Sequence, residues 1–178
     1  NNPTGAVATA QFYKDTVAFA EEHQVGIVSD FAYGAIGFDG NQPLSFLQTA
    51  GAKSVGIETY TFSKTFNMAG WRVGFAVGNA DMIAALNLIQ DHLFVSIFPA
   101  IQDAAIAALA QRKQRTDAVG QLQAVYESRR NAFINAVRSF NWEPYVPKGA
   151  FYVLMPVPKG YTSAQFAELL LNRANVAV

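Results

Sequence analysis

The chain has 178 residues, 51% of them hydrophobic and 15% charged, the balance of a folded protein with a substantial core rather than a disordered one. Lys and Arg number 13 against 13 Asp and Glu, so charge gives no reason to expect nucleic acid or an anionic membrane as partner. Cysteine is absent, which excludes disulfides and thiolate metal sites; no apolar run reaches membrane-spanning length and no charged-then-apolar leader opens the chain, so a soluble cytoplasmic protein is expected.

The chain starts Asn1-Asn2-Pro3-Thr4-Gly5, a turn-forming run. Residues 9–22 carry helical periodicity, with Thr9 as N-cap and Phe12, Val17 and Phe19 with the alanines as the apolar stripe. Gly26-Ile-Val-Ser-Asp30 predicts a short buried parallel strand ending in an acid, the place where α/β sheets present functional groups. Residues 34–43 are glycine-rich and polar, hence a loop, and residues 44–50 form one helical turn or two. Residues 55–62 predict the next strand, ending just before Lys64. Residues 73–78 follow so closely that an antiparallel partner is expected. Strand, helix and strand with chemistry at strand ends make the fold class α/β.

From Asn79 the pattern changes. Asp81 is the expected cap of a helix carrying Met82, Ile83, Leu86, Leu88 and Ile89, and Pro99 interrupts the helical pattern. Residues 101–109 form an alanine-rich helix. Residues 116–140 form a long amphipathic one that buries Val119, Leu122, Val125, Phe133, Ile134 and Val137. Arg112, Lys113, Arg115, Arg129 and Arg130 are expected on solvated helix faces. Residues 150–155 predict a strand between Gly149 and Pro156, and residues 163–174 a last helix. The expected organisation is a larger unit over residues 1–80, a connecting helix over 81–98, and part of a smaller α+β unit over 99–178. His23 and His92 lack metal-ligand spacing, so no metal site is expected.

The chemistry concentrates in Thr61-Phe-Ser-Lys64-Thr-Phe-Asn-Met-Ala-Gly-Trp-Arg72-Val-Gly-Phe75. A lysine can form a Schiff base with a carbonyl when its amine is neutral, which Phe62 and Phe66 would favour by partial burial. An arginine offers the planar fork that matches phosphate. The pair points to a cofactor with both an aldehyde and a phosphate, pyridoxal 5'-phosphate (PLP). Gly70 and Gly74 are expected to allow close backbone approach beside Arg72, and Trp71 to pack in the core.

With Asn2-Pro3-Thr4-Gly5, Asp30-Phe-Ala-Tyr33 and the spacing from Lys64 to Arg72, the chain resembles the class I/II PLP-dependent aminotransferases of fold type I. The segments at 38–48 and 67–79 are similar to the branch holding LL-diaminopimelate, methionine-salvage and aromatic aminotransferases. The resemblance implies amino-group transfer between an amino acid and a 2-oxo acid in a cytoplasmic homodimer. Lys64 would carry the cofactor and move the α-proton. Asp30 would pair with the pyridine nitrogen. Tyr33 and Asn2 would donate to the phenolic oxygen. Arg72, Thr61 and Ser63 would hold the phosphate, Thr61 standing where the family more often has serine. The same residues also suit a PLP-sensing domain of a transcription regulator or a PLP-dependent carbon–sulfur lyase. Family members are longer: the ring-stacking aromatic and second phosphate loop are expected before residue 1, and the carboxylate-binding arginine after residue 178. The chain is therefore expected to be an internal piece, inactive on its own.

Overall fold

Thr9 adopts an extended backbone and its hydroxyl accepts from the Phe12 amide at 3.1 Å, which starts helix α1 (Ala10–His23). A computed structural model describes residues 1–110 and 112–178, residues 112–116 through their backbone alone. In α1 the buried side chains are Tyr13, Val17 and Ala20, while Phe12 and Phe19 face outward. The expected stripe, which includes the alanines, shares Val17 and Ala20 with the observed one. Tyr13 and Val17 fit the i, i+4 row, and Tyr13 makes an edge contact to Phe46 at 5.7 Å between ring centres.

Strand β1 (Ile27–Asp30) pairs in parallel with β2 (Gly56–Thr61), and β2 pairs antiparallel with β3 (Gly74–Gly78), in the order β1-β2-β3. Both pairings match the sequence expectation. One-turn helix α2 (Ala52–Val55) leads into β2, and a single 3-10 turn at Phe46–Gln48 occupies the 44–50 stretch. Tyr13, Val17, Phe46 and Ala52 form one core on the α1 side of the sheet. Phe62, Val73 and Ala105 form a second, with Phe66 packed against it.

After β3, Asn79 caps α4 (Ala80–Leu93) by accepting from the Met82 amide at 3.0 Å. The cap is thus Asn79, two residues before the expected Asp81, which lies in the first turn where an acid favours the helix dipole. Pro99 opens α5 (Pro99–Ala110), the helix position that tolerates a missing N–H. Long α6 (Arg112–Arg138) and α7 (Ser163–Ala174) complete the chain, α7 beginning with a Thr162–Gln165 capping box. In α6, Ile134 is buried, whereas Val125 and Phe133 stay substantially exposed. Arg130 is buried, against expectation, because Asp39 accepts both of its terminal nitrogens at 2.6 Å. The reading of Arg112, Lys113 and Arg115 as solvated falls outside the described side chains.

Residues 150–155 do not form the expected strand. Isolated bridges pair Gly37 with Gly149 and Tyr145 with Leu154 instead. The Lys148 and Gly149 amides donate to the Gly5 carbonyl at 3.0 and 3.1 Å, the Phe38 amide to Lys148 and the Ala150 amide to Ile36, each at 2.9 Å. Gly5 has φ +65°, and a side chain there would collide with Pro147. Three segments distant in sequence therefore meet at one end of the sheet.

Candidate active site

Asp30 closes β1, and the parallel register sets it opposite Thr59, two residues before Thr61. Both chains thus deliver polar groups at the same carboxyl end, where open α/β sheets place their sites. The Thr61 hydroxyl accepts from the Ser63 amide at 3.1 Å and donates to the Ser63 hydroxyl at 2.9 Å. This cap turns the chain directly from β2 into one-turn helix α3 (Phe62–Thr65), which carries Lys64. The antiparallel register sets Thr61 opposite Gly74, and the Phe62 amide donates to the Val73 carbonyl at 3.1 Å. The backbone at Arg72 therefore adjoins the turn that carries Thr61 and Ser63. A side chain at Gly74 would strike the Tyr60 carbonyl, so glycine is required there. Gly70 has open space around it, and no such argument applies to it.

Arg72 is exposed, has φ 52°, and donates from Nη1 to the Ala69 carbonyl at 3.0 Å. Trp71 is also exposed, not the core residue expected, because the 3-10 turn at Ala69–Trp71 buries none of its side chains. Phe62 turns into the second core. Partial cover of Lys64 comes instead from Phe151 and Tyr33, whose ring centres lie 5.2 and 5.9 Å from Nζ.

A cleft of 420 Å³ running along β1 from Ile27 to Asp30 is lined also by Asn2, Tyr33 and Ile36. Lys64, Thr61, Ser63 and Arg72 lie outside its lining. The predicted residues thus fall into two groups, Asn2–Asp30–Tyr33 and Thr61–Ser63–Lys64–Arg72, and the Lys64–Tyr33 contact joins them. Burial pushes the Tyr33 phenol up from its ordinary value; a hydrogen bond to Tyr152 and the charge of Asp30 push the same way. Tyr33 is therefore a protonated donor at neutral pH.

Phe151 and Tyr152 were not among the sequence candidates. Tyr33 meets both rings nearly at right angles, at 5.3 and 5.7 Å, and its hydroxyl lies 2.9 Å from that of Tyr152. Tyr126 of α6 stacks on Phe151 at 5.1 Å. Their signal was the glycine-flanked run at 149–155, which reads as an ordinary strand.

The donor set fits a phosphorylated aldehyde bound through an amine. It has one amine under aromatic cover, one carboxylate at the neighbouring strand end, a protonated phenol, and an arginine on the segment adjoining two hydroxyls. Among the described residues, no cluster of His, Asp and Glu could hold a metal ion, and no helix is long and apolar enough to cross a membrane.

The family model "Aminotransferase class I and II" matches residues 1–178, and the chain belongs to that family, whose members depend on PLP. It is 61% identical over its whole length to L-glutamine–4-(methylsulfanyl)-2-oxobutanoate aminotransferase of Bacillus subtilis. To LL-diaminopimelate aminotransferase of Dehalococcoides mccartyi it is 47% identical. It superposes on substrate-bound BacF from Bacillus subtilis with a TM-score of 0.93 at 47% identity. In each case it is covered completely but spans 44–45% of the other chain.

Proposed function

We propose that the full-length protein is a PLP-dependent aminotransferase, moving an amino group between an amino acid and a 2-oxo acid, with Lys64 as the covalent anchor of the cofactor. The observation that carries this reading is the meeting of Lys64 with Tyr33 at the sheet end that also bears Asp30 and Thr61. The relatives are named aminotransferases, which favours this reading over a PLP-sensing regulator domain or a carbon–sulfur lyase.

PLP supplies an electron-withdrawing ring that stabilises negative charge at the substrate α-carbon. The chain's own residues supply the rest. Asp30 would hold a proton at the pyridine nitrogen, keeping the ring an electron acceptor. Tyr33 and Asn2 would donate hydrogen bonds to the phenolic oxygen. Arg72 would hold the phosphate as a charge-assisted partner, with the Thr61 and Ser63 hydroxyls. The Lys64 amine would take the proton from the substrate α-carbon and pass it to the cofactor. Phe151 and Tyr33 give the amine partial aromatic cover.

The 61% relative makes glutamine with 4-(methylsulfanyl)-2-oxobutanoate the first substrate pair to assay. The same reading includes a cytoplasmic homodimer, and a division into a large-domain portion at 1–80, a connecting helix at 81–98 and part of a small domain at 99–178. Exposed Leu88, Leu93, Phe94 and Phe98 support association with further protein surface.

The test is borohydride reduction of the full-length protein with PLP, followed by peptide mapping. The pyridoxyl group is expected on Lys64. Lys64→Ala should lose that adduct and lower amino transfer by about 10²–10⁴-fold or more. An adduct on a different lysine overturns the assignment.

A further inference from the structure

We propose that Tyr152 is a positioning residue: its hydroxyl holds the Tyr33 phenol and strengthens it as a donor into the site. The inference rests on the PLP reading above and adds to it a residue from the far end of the chain. Residues 33 and 152 are 119 apart in sequence, yet their hydroxyls lie 2.9 Å from each other.

The backbone is built to bring them there. Gly149 approaches the Ile36 carbonyl so closely that a Cβ would sit 2.7 Å from that oxygen. Ala150, buried, then takes φ 60°, a left-handed conformation that an alanine rarely adopts. In an extended strand, residues 151 and 152 would point to opposite faces. After this turn both rings meet Tyr33. Phe151 also covers Lys64, so one kink supplies the lid over the amine and the partner of the phenol.

A hydroxyl donates one hydrogen and accepts up to two. Tyr33 can give its hydrogen to the phenolic oxygen of the cofactor only if its own oxygen serves as acceptor for Tyr152. The direction then runs Tyr152 to Tyr33 to cofactor, and each donor polarises the next. The charged or titratable groups facing Tyr33 are Asp30 on β1, Lys64 on α3 and Tyr152 itself. Asp30 and Lys64 are unchanged by substitution at 152.

The experiment uses full-length protein as wild type, Tyr152→Phe, Tyr33→Phe and the double variant, all loaded with PLP. It reads the pH midpoint of the cofactor's visible absorption and the dissociation constant of PLP. Phenylalanine keeps the ring packing and removes only the hydroxyl. A weaker Tyr33 donor leaves the phenolic oxygen more basic, so the midpoint should rise by about half a unit and PLP affinity should fall about two- to tenfold. In the Tyr33→Phe background the same change at 152 should do nothing. Tyr152→fluorotyrosine, a stronger donor, should move the midpoint the other way. Unchanged midpoint and affinity in Tyr152→Phe overturn the proposal. So does an equal effect with and without the Tyr33 hydroxyl, which would make the role structural. An adduct absent from Lys64 in wild type would bring down the cofactor reading itself, and this inference with it. An adduct present on Lys64 with a silent Tyr152→Phe removes the inference alone.

Discussion

The core around the sheet and helix α4 treat their apolar side chains in opposite ways. Around the sheet, Phe46 is fully buried and Ile57, Phe62 and Val73 nearly so. Even the one deeply buried carboxylate, Glu58, is matched there: Ser29 and Ser45 donate to it at 3.0 and 2.6 Å, the Phe46 amide at 2.7 Å, and the Tyr60 hydroxyl as well. Helix α4 buries none of its side chains against the described residues. Past its end, Phe94, Val95 and Phe98 are about 70% exposed or more. A sheet region that satisfies itself can hold a site in fixed geometry. Leucines of α4 and the phenylalanines just past it stay in water, the apolar exposure that the proposed association would cover.

If that contrast is real, the two regions must respond differently to truncation. Phe46→Ala should be the most damaging change, costing about 3–5 kcal/mol, since it empties the centre of the α1-side core. Urea unfolding would show it, and a loss under about 1 kcal/mol would contradict the packing described. Glu58→Gln should follow. The amide keeps the shape but turns an N–H group toward donors, so at least one buried bond is lost, at about 1–3 kcal/mol. Recovery of wild-type stability in that variant would show that the carboxylate's charge is not what the four donors require.

The legible part of the molecule was the part governed by local pattern. Thr9 as a cap, the β1–β2 parallel pair, the antiparallel return to β3 and the place of Lys64 at a strand end all follow from short-range periodicity and turn chemistry. The stripe of α1 did not, because Phe12 and Phe19 look apolar in any window and only the sheet decides which face is covered. Arg130 read as solvated for the mirror-image reason: its partner Asp39 is 91 residues away. Phe151 and Tyr152 were hidden by a left-handed alanine, which no propensity anticipates. The amine and the strand-end acid of the candidate site are proposed from the sequence, whereas the rings over that amine become visible only in the fold.

Phe94→Ser sharpens the contrast from the other side. In the 178-residue polypeptide it should change stability by less than about 0.5 kcal/mol, since the ring contributes little buried area. It should also reduce self-association, measured by light scattering. In the full-length protein the same change should weaken assembly. A large stability loss in the short chain would mean that α4 is packed more tightly than the structure shows.

The smallest effect concerns the latch between α6 and the loop after Tyr33. Arg130 donates to both Asp39 oxygens and lies 4.8 Å from the centre of the Phe38 ring, while the Glu127 carboxylate accepts from the Asp39 amide at 2.7 Å. The hydrogen bonds from Arg130, foremost, hold the Asp39 carboxyl below its ordinary value of 3.8. A carboxyl whose value is lower in the folded than in the unfolded chain adds stability above the unfolded value and loses it as pH falls through the folded one. Asp39→Asn keeps a side chain that tolerates the φ of 56° found there but removes the charge. The variant should therefore be less stable than wild type at neutral pH, with the gap constant down to about pH 4 and closing below it. Because the Asp39 side chain is 56% exposed, solvent weakens the pair and the gap should be modest. Parallel melting curves from pH 7 to pH 2 measure it. A gap that widens toward acid would mean that another group, not Asp39, carries the acid sensitivity of the latch.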